Sequence, residues 1–259
     1  PFGIFLKSAE VFILVFIRMT GLFVAAPIFG RRNIPAYFKI GFAFMTALIL
    51  ANIVTVPDGG IGQNIYDIAF AVIKEFVTGL TIGYVSYLIF TSVYLAGQLV
   101  DMQIGFGMVN VIDPTSNVQV PVTANFYFIL SMLIFLMVNG HHYLIKALYD
   151  SFVQIPIGMA HFGEEAFNII VSVFGSVFVI GFKIAAPITA AIILTDVALG
   201  IMSRTVPQLN VFFLGMPLKI VLGIIVMILT VPAFIALLNS VFDVVDTETM
   251  DFIRSIVPK

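Results

Sequence analysis

Residues 166–202 read AFNIIVSVFGSVFVIGFKIAAPITAAIILTDVALGIM, a run of 37 residues broken only by Lys183 and Asp196 among charged groups. A single crossing of the hydrocarbon core needs about 20 apolar residues. As one straight helix at about 1.5 Å per residue, the run would measure roughly 55 Å. Gly175, Gly181 and Pro187 interrupt it, so it is either a bent helix or a short helical pair, and the sequence leaves both open. Either way it is helical and too apolar for a soluble domain. The fold class it dictates is all-α, a polytopic hydrophobic helical protein with bent helices and helical hairpins.

The rest of the chain agrees. Its 259 residues are 61% hydrophobic and 10% charged, with a mean hydropathy of +1.13. Globular proteins hold roughly 45–50% apolar and about 25% charged residues, so here lipid or other protein must cover much of the surface. A formal net charge of −2 offers nothing to attract nucleic acid. The absence of cysteine removes disulfides, thiolate catalysis and cysteine-held metals. Further apolar runs lie near 11–29, 40–56, 68–97, 121–138 and 218–242. The run at 68–97 is again too long for one perpendicular crossing, with Gly79 and Gly83 inside it. The run at 11–29 ends in AAPIFGRR without a convincing cleavage pattern, and reads as a retained segment.

Basic residues cluster in two connectors, Arg31, Arg32 and Lys39 in one and Arg204 and Lys219 in the other. Six single crossings would put both on the cytoplasmic side, but Arg254 and Lys259 then oppose the rule, so no orientation follows. Between 139 and 165, Leu144, Leu148, Phe152 and Ile155 recur at helical spacing, with Lys146 and Asp150 on another face. That pattern predicts an amphipathic helix lying against protein or the interface, and the segment is the best internal boundary.

Charges inside the apolar runs admit two readings. Arg18, Lys74, Glu75, Lys183 and Asp196 could form a proton or ion relay, as in a small secondary transporter, or could pair between helices. Lys183 and Asp196 stand 13 residues apart and cannot pair within one helix. Gly79-Leu-Thr-Ile-Gly83 has the small-xxx-small spacing that allows two helix backbones to approach closely. An enzyme is a poor fit, and no catalytic residue, cofactor or metal site is expected. His141 and His142 are adjacent and diverge on a helix, and no GxSxG, HExxH or P-loop pattern occurs. Gly105-Phe-Gly107 begins a dinucleotide fingerprint, but Asn110 stands where the third glycine belongs.

One polar stretch separates two apolar runs: GFGMVNVIDPTSNVQVP at 105–121. Gly105 and Gly107 allow hinge-like backbone angles, and Asp113-Pro114-Thr115-Ser116-Asn117 is a turn cluster. Phe106, Met108, Val109, Val111 and Ile112 are more apolar than a solvated connector requires. Fully extended, the 17 residues would reach roughly 55–60 Å. Non-helical backbone at membrane depth is tolerated only where protein buries it or water lines it. A bland connector and a re-entrant or pore-facing element therefore both remain open.

Three stretches, taken together, resemble a known family. RMTGLFVAAPIFGRRNIPAYFKIG (18–41), GFGMVNVIDPTSNVQVP (105–121) and FLMVNGHHYLIKALYDSF (135–152) look like the FliR family of flagellar export-gate proteins and their virulence-system homologues. The resemblance implies a non-enzymatic subunit of the type III protein export gate. Its expected partners are FliP-like and FliQ-like subunits, an FlhB-like protein, the bacterial cell membrane and unfolded export substrates. It implies a FliP-like portion over 1–165 fused to a FliQ-like helical hairpin over 166–259. It also implies that the 105–121 loop plugs the channel. Gly105 and Gly107 would be its hinges, Phe106, Met108, Val109, Asn110, Val111 and Ile112 its body, and Asp113 and Pro114 its turn. Arg18, Arg31, Arg32, Lys183, Asp196, Asn139, His141 and His142 would serve assembly or form buried charge contacts. The flagellar branch fits better than the virulence branch.

Overall fold

In a computed structural model, the residues described are 2–30, 34–51, 54, 64–106, 121–206, 208 and 210–258. They form seven helices and, among the described residues, no strand: α1 (Phe2–Ala25), α2 (Ala36–Leu50), α3 (Ile65–Ile104), α4 (Val122–Met137), α5 (Gly140–Gln154), α6 (Glu164–Thr205) and α7 (Val211–Ser255). The two overlong runs are therefore uninterrupted helices and not hairpins. α6 carries Pro187 inside it and α7 carries Pro217 and Pro232. Each of these prolines removes one backbone donor, which a helix of 42 or 45 residues absorbs through its remaining bonds.

Among the described residues, three helices, α3, α6 and α7, are long and apolar enough to cross a membrane, or four if α4 and α5 form one broken span. The α2 helix, at 15 residues, falls short of the roughly 20 that a crossing requires, so six single crossings do not match these lengths. At 40, 42 and 45 residues, α3, α6 and α7 run about 60–68 Å, twice the ~30 Å hydrocarbon core. Only 11% of the most apolar window of α7 is buried within the chain. Lipid or other subunits must cover the remainder.

The chain divides into two compact units interleaved in sequence. One comprises Pro1–Ile89, Phe135–Phe174 and Phe242–Lys259, the other Phe90–Ile134 and Gly175–Val241.

In the first unit, α1 and α3 touch backbone to backbone. A methyl group on Gly79 would land on the carbonyl oxygen of Arg18, and one on Gly83 would come within 2.8 Å of the Leu22 carbonyl oxygen. Gly21 faces Phe76 and Leu80 from the opposite helix in the same way. The Gly79-xxx-Gly83 pattern is thus a helix-packing seam, and Gly21 is its counterpart. Phe44 of α2 packs edge-on against Phe12 and Phe16 of α1, with ring centroids 5.2 and 6.2 Å apart. The α5 helix is the amphipathic element expected from its spacing. Leu144, Leu148, Phe152 and the following Ile155 are buried, Lys146 is exposed and Asp150 half-buried.

In the second unit, Tyr127 of α4 stacks on Phe234 of α7 at 4.7 Å, and Phe90 of α3 meets Phe128 of α4 at 5.9 Å. The α6 and α7 helices are antiparallel neighbours. The Lys219 ammonium pairs with the Asp196 carboxylate, and Gly215 lies against Leu199.

Candidate functional site

The site grows from the two ends of the 105–121 stretch. The α3 helix stops at Gly105, whose φ of +99° lies in the left-handed region. A Cβ there would meet nothing within 4 Å, so backbone angle and not crowding calls for glycine. The Gly105 N–H donates to the Asp101 carbonyl at 3.1 Å and closes the last turn. Phe106 follows, half-buried. The next plug candidates, Gly107, Met108, Val109, Asn110, Val111, Ile112, Asp113 and Pro114, lie outside the described residues, as do Arg31 and Arg32. The chain is described again at Pro121, whose carbonyl accepts from the Asn125 side-chain amide at 2.9 Å.

Asp101 joins these two ends. Its carboxylate is buried and accepts from the backbone N–H of Thr123 at 2.9 Å and of Ala124 at 3.3 Å, both in the first turn of α4. The first N–H groups of a helix have no partner inside it and carry the positive end of the helix dipole, so a carboxylate there satisfies donors and charge together. Gly97, one turn earlier on α3, brings the backbones close enough that an added methyl would fall on the Ala124 Cα. Ile104 fills the space beside Gly223 of α7, where an added Cβ would lie 2.5 Å from its Cδ1. The loop therefore leaves and re-enters the fold at one anchored point.

The sequence reading missed Asp101. The available signal was its place: an acid in the last turn of a helix opposes that helix's own dipole, so it must answer to another partner. Asp101→Ala should remove a cap worth about 1–2 kcal/mol. The amides of Thr123 and Ala124 should then exchange about tenfold faster with solvent deuterium. Exchange unchanged at both amides would contradict the clasp.

A second built cluster lies in the first unit around Arg18, whose side chain and that of Glu75 are both 0% exposed. Arg18 Nε and Nη2 donate to the two Glu75 oxygens at 2.5 and 2.9 Å, a two-pronged pair between α1 and α3. Arg18 Nη1 donates to Ser151 Oγ at 3.1 Å and Nη2 to the Ile155 carbonyl at 3.4 Å. Phe152 places its ring 4.1 Å from the guanidinium carbon. Glu75 also accepts from the Gly158 N–H at 2.8 Å, and Gly158 presents that N–H from a φ of +77°. One buried ion pair thus ties α1, α3, α5 and the turn after α5 together.

The other sequence candidates fall in different surroundings. Asn139 adopts φ +58°, and Gly140 meets the Phe135 ring, which makes Asn139-Gly140 the tight turn between α4 and α5. His141 and His142 pack ring to ring, 4.2 Å between centroids, with His142 exposed. Among the described residues, no three metal-ligating side chains gather. Asp196 is engaged by Lys219, whereas Lys183 is exposed on α6 and forms no ion pair among the described residues. Lys183 and Asp196 stand about 20 Å apart along one helix and so do not form a relay with each other, and Arg18 is engaged by Glu75.

Comparison with known proteins places this arrangement in a family. The profile described as "Bacterial export proteins, family 1" matches residues 9–245. The flagellar biosynthetic protein FliR of Bacillus subtilis (strain 168) is 40% identical over 250 residues, 95% of each chain. The FliR of Pectobacterium carotovorum subsp. carotovorum is 31% identical over 244 residues, 93% of this chain and 90% of its own. That of Escherichia coli (strain K12) is 28% identical over 240 residues, 93% and 91% of the two chains. The match runs through α1, the loop base and both long C-terminal helices, and this chain belongs to the FliR family of bacterial export proteins.

Proposed function

We propose that the chain is a non-enzymatic, membrane-embedded subunit of the flagellar type III export gate, and that its 105–121 loop plugs the channel taken by unfolded substrates. The observation that carries the reading is the anchored loop base in a FliR-family chain. Asp101 and Gly97 tie the end of α3 to the start of α4, so the base of the apolar, glycine-punctuated segment is held by contacts that lie outside it. An apolar constriction excludes ions by dewetting and yields to a passing polypeptide.

Two other observations support a multi-subunit setting. The outer face of α7 is too exposed and apolar to stand in water, and α3, α6 and α7 outrun a bilayer by about half their length. Both fit a subunit packed against FliP-like and FliQ-like neighbours beside an FlhB-like protein, in the bacterial inner membrane at the flagellar basal body. The antiparallel α6–α7 pair supports reading 166–259 as a FliQ-like hairpin and 1–165 as a FliP-like portion.

Removing the chain from its own cell should leave flagellar filament and hook proteins inside it, measured as their loss from the culture medium. Secretion continuing at the parental level would overturn the proposal.

A further inference from the structure

Lys183 stands in the middle of the apolar belt. The Asp196–Lys219 pair and the Gly215–Leu199 contact fix the antiparallel register of α6 and α7. Counting equal rise from that pair, Lys183 is about 13 residues, roughly 20 Å, along α6 and level with Pro232 of α7. Pro232 lies at the midpoint of 220–242, a stretch of α7 without a charged side chain. Half of a ~30 Å hydrocarbon core is more than a four-carbon stem can span, so the ammonium cannot reach lipid headgroups from that depth.

The surface around it suits a helix. Phe182, Val179, Leu194 and Val197 are exposed on α6, and Ala186, Pro187 and Ala190 lie one and two turns from Lys183 with little side chain to hold a neighbour away. A second copy of this chain has no matching acid to offer. Among the described residues, the two acids within the apolar runs are engaged, Glu75 by Arg18 and Asp196 by Lys219, and Asp101, just beyond the 68–97 run, is held by the α4 N-terminus.

We infer that the Lys183 face of α6 docks an apolar helix of a different polypeptide that carries an unpaired carboxylate, and that this ion pair selects the partner. The inference rests on the export-gate reading and deepens it by assigning one contact. An ammonium buried in apolar surroundings is strongly destabilising unless an opposite charge meets it, so the pair discriminates against every neighbour without an acid at that level.

The test uses the assembled complex purified from cells through a tag on this chain. A photoreactive amino acid at Ala186 should cross-link to a second export-apparatus protein, at a peptide holding Asp or Glu within an apolar helix. Lys183→Glu should lower recovery of that protein about thirtyfold or more, and Lys183→Met should lower it less. Exchanging the identified acid for Lys should restore recovery with Lys183→Glu. If wild-type chain co-purifies with export components while Lys183→Glu does so equally well, or the adduct contains no acid or only lipid, the docking inference fails and the export-gate reading stands. If wild-type chain brings down no export component, both fail.

Discussion

Glu75→Ala should leave little folded chain. The substitution strands the Arg18 guanidinium, fully buried between α1 and α3, and strips the Gly158 N–H of its acceptor. Removing one partner of a buried pair costs about 3–5 kcal/mol. Net stabilities of only 5–15 kcal/mol leave little margin for that loss. Arg18→Met should do similar damage, because Glu75 would keep the Gly158 N–H but lose both prongs of its cation. The double variant Arg18→Met/Glu75→Met is the informative one. An apolar pair of similar volume restores packing without a stranded charge, so much of the loss should return. The measurement is the recovery of detergent-extracted, correctly assembled chain from membranes, with secretion scored in the same cells. Recovery of assembly and secretion in the double variant shows that the pair holds the fold together. Assembly recovering while secretion stays lost would show that the charges themselves act in transport. A Glu75→Ala chain recovered at parental level would contradict the structural role of the cluster.

The helical architecture was legible from a few features with clear physical causes. A 37-residue apolar run has only helical ways to satisfy its backbone in lipid, and the four-four-three spacing from Leu144 to Ile155 announced the buried face of α5. The Gly79-xxx-Gly83 pattern announced a close helix contact but not with which helix, because its counterpart Gly21 is 58 residues away and stands alone. The same distance hid the pairing of Arg18. Sequence showed that a buried arginine needs a partner, but Glu75 is 57 residues away and nothing in the spacing singles it out. Whether 68–97 and 166–202 were hairpins or single helices was not legible, since glycine and proline are compatible with both. The structure shows single helices, each with one end in either compact unit.

For the loop, the sequence carried composition and not placement. Its glycines, turn cluster and apolar residues left a connector and a pore-facing element both open, and likeness to the gate family supplied the plug reading. The anchoring was hidden because it runs through backbone N–H groups, which every residue has. Nothing about Thr123 or Ala124 as side chains marks them as the partners of Asp101.

Because that anchoring lies outside 107–119, deleting those residues should spare the helices that frame the loop while removing the proposed plug. The central claim is that this segment seals the gate, and the most direct measurement is passive ion conductance across membranes holding the assembled complex. The account predicts assembly at parental level, with conductance about tenfold or more above that of the intact complex, since a dewetted apolar barrier is replaced by an open water path. Full assembly with unchanged conductance would contradict it, and the 105–121 stretch would then be only the link between α3 and α4.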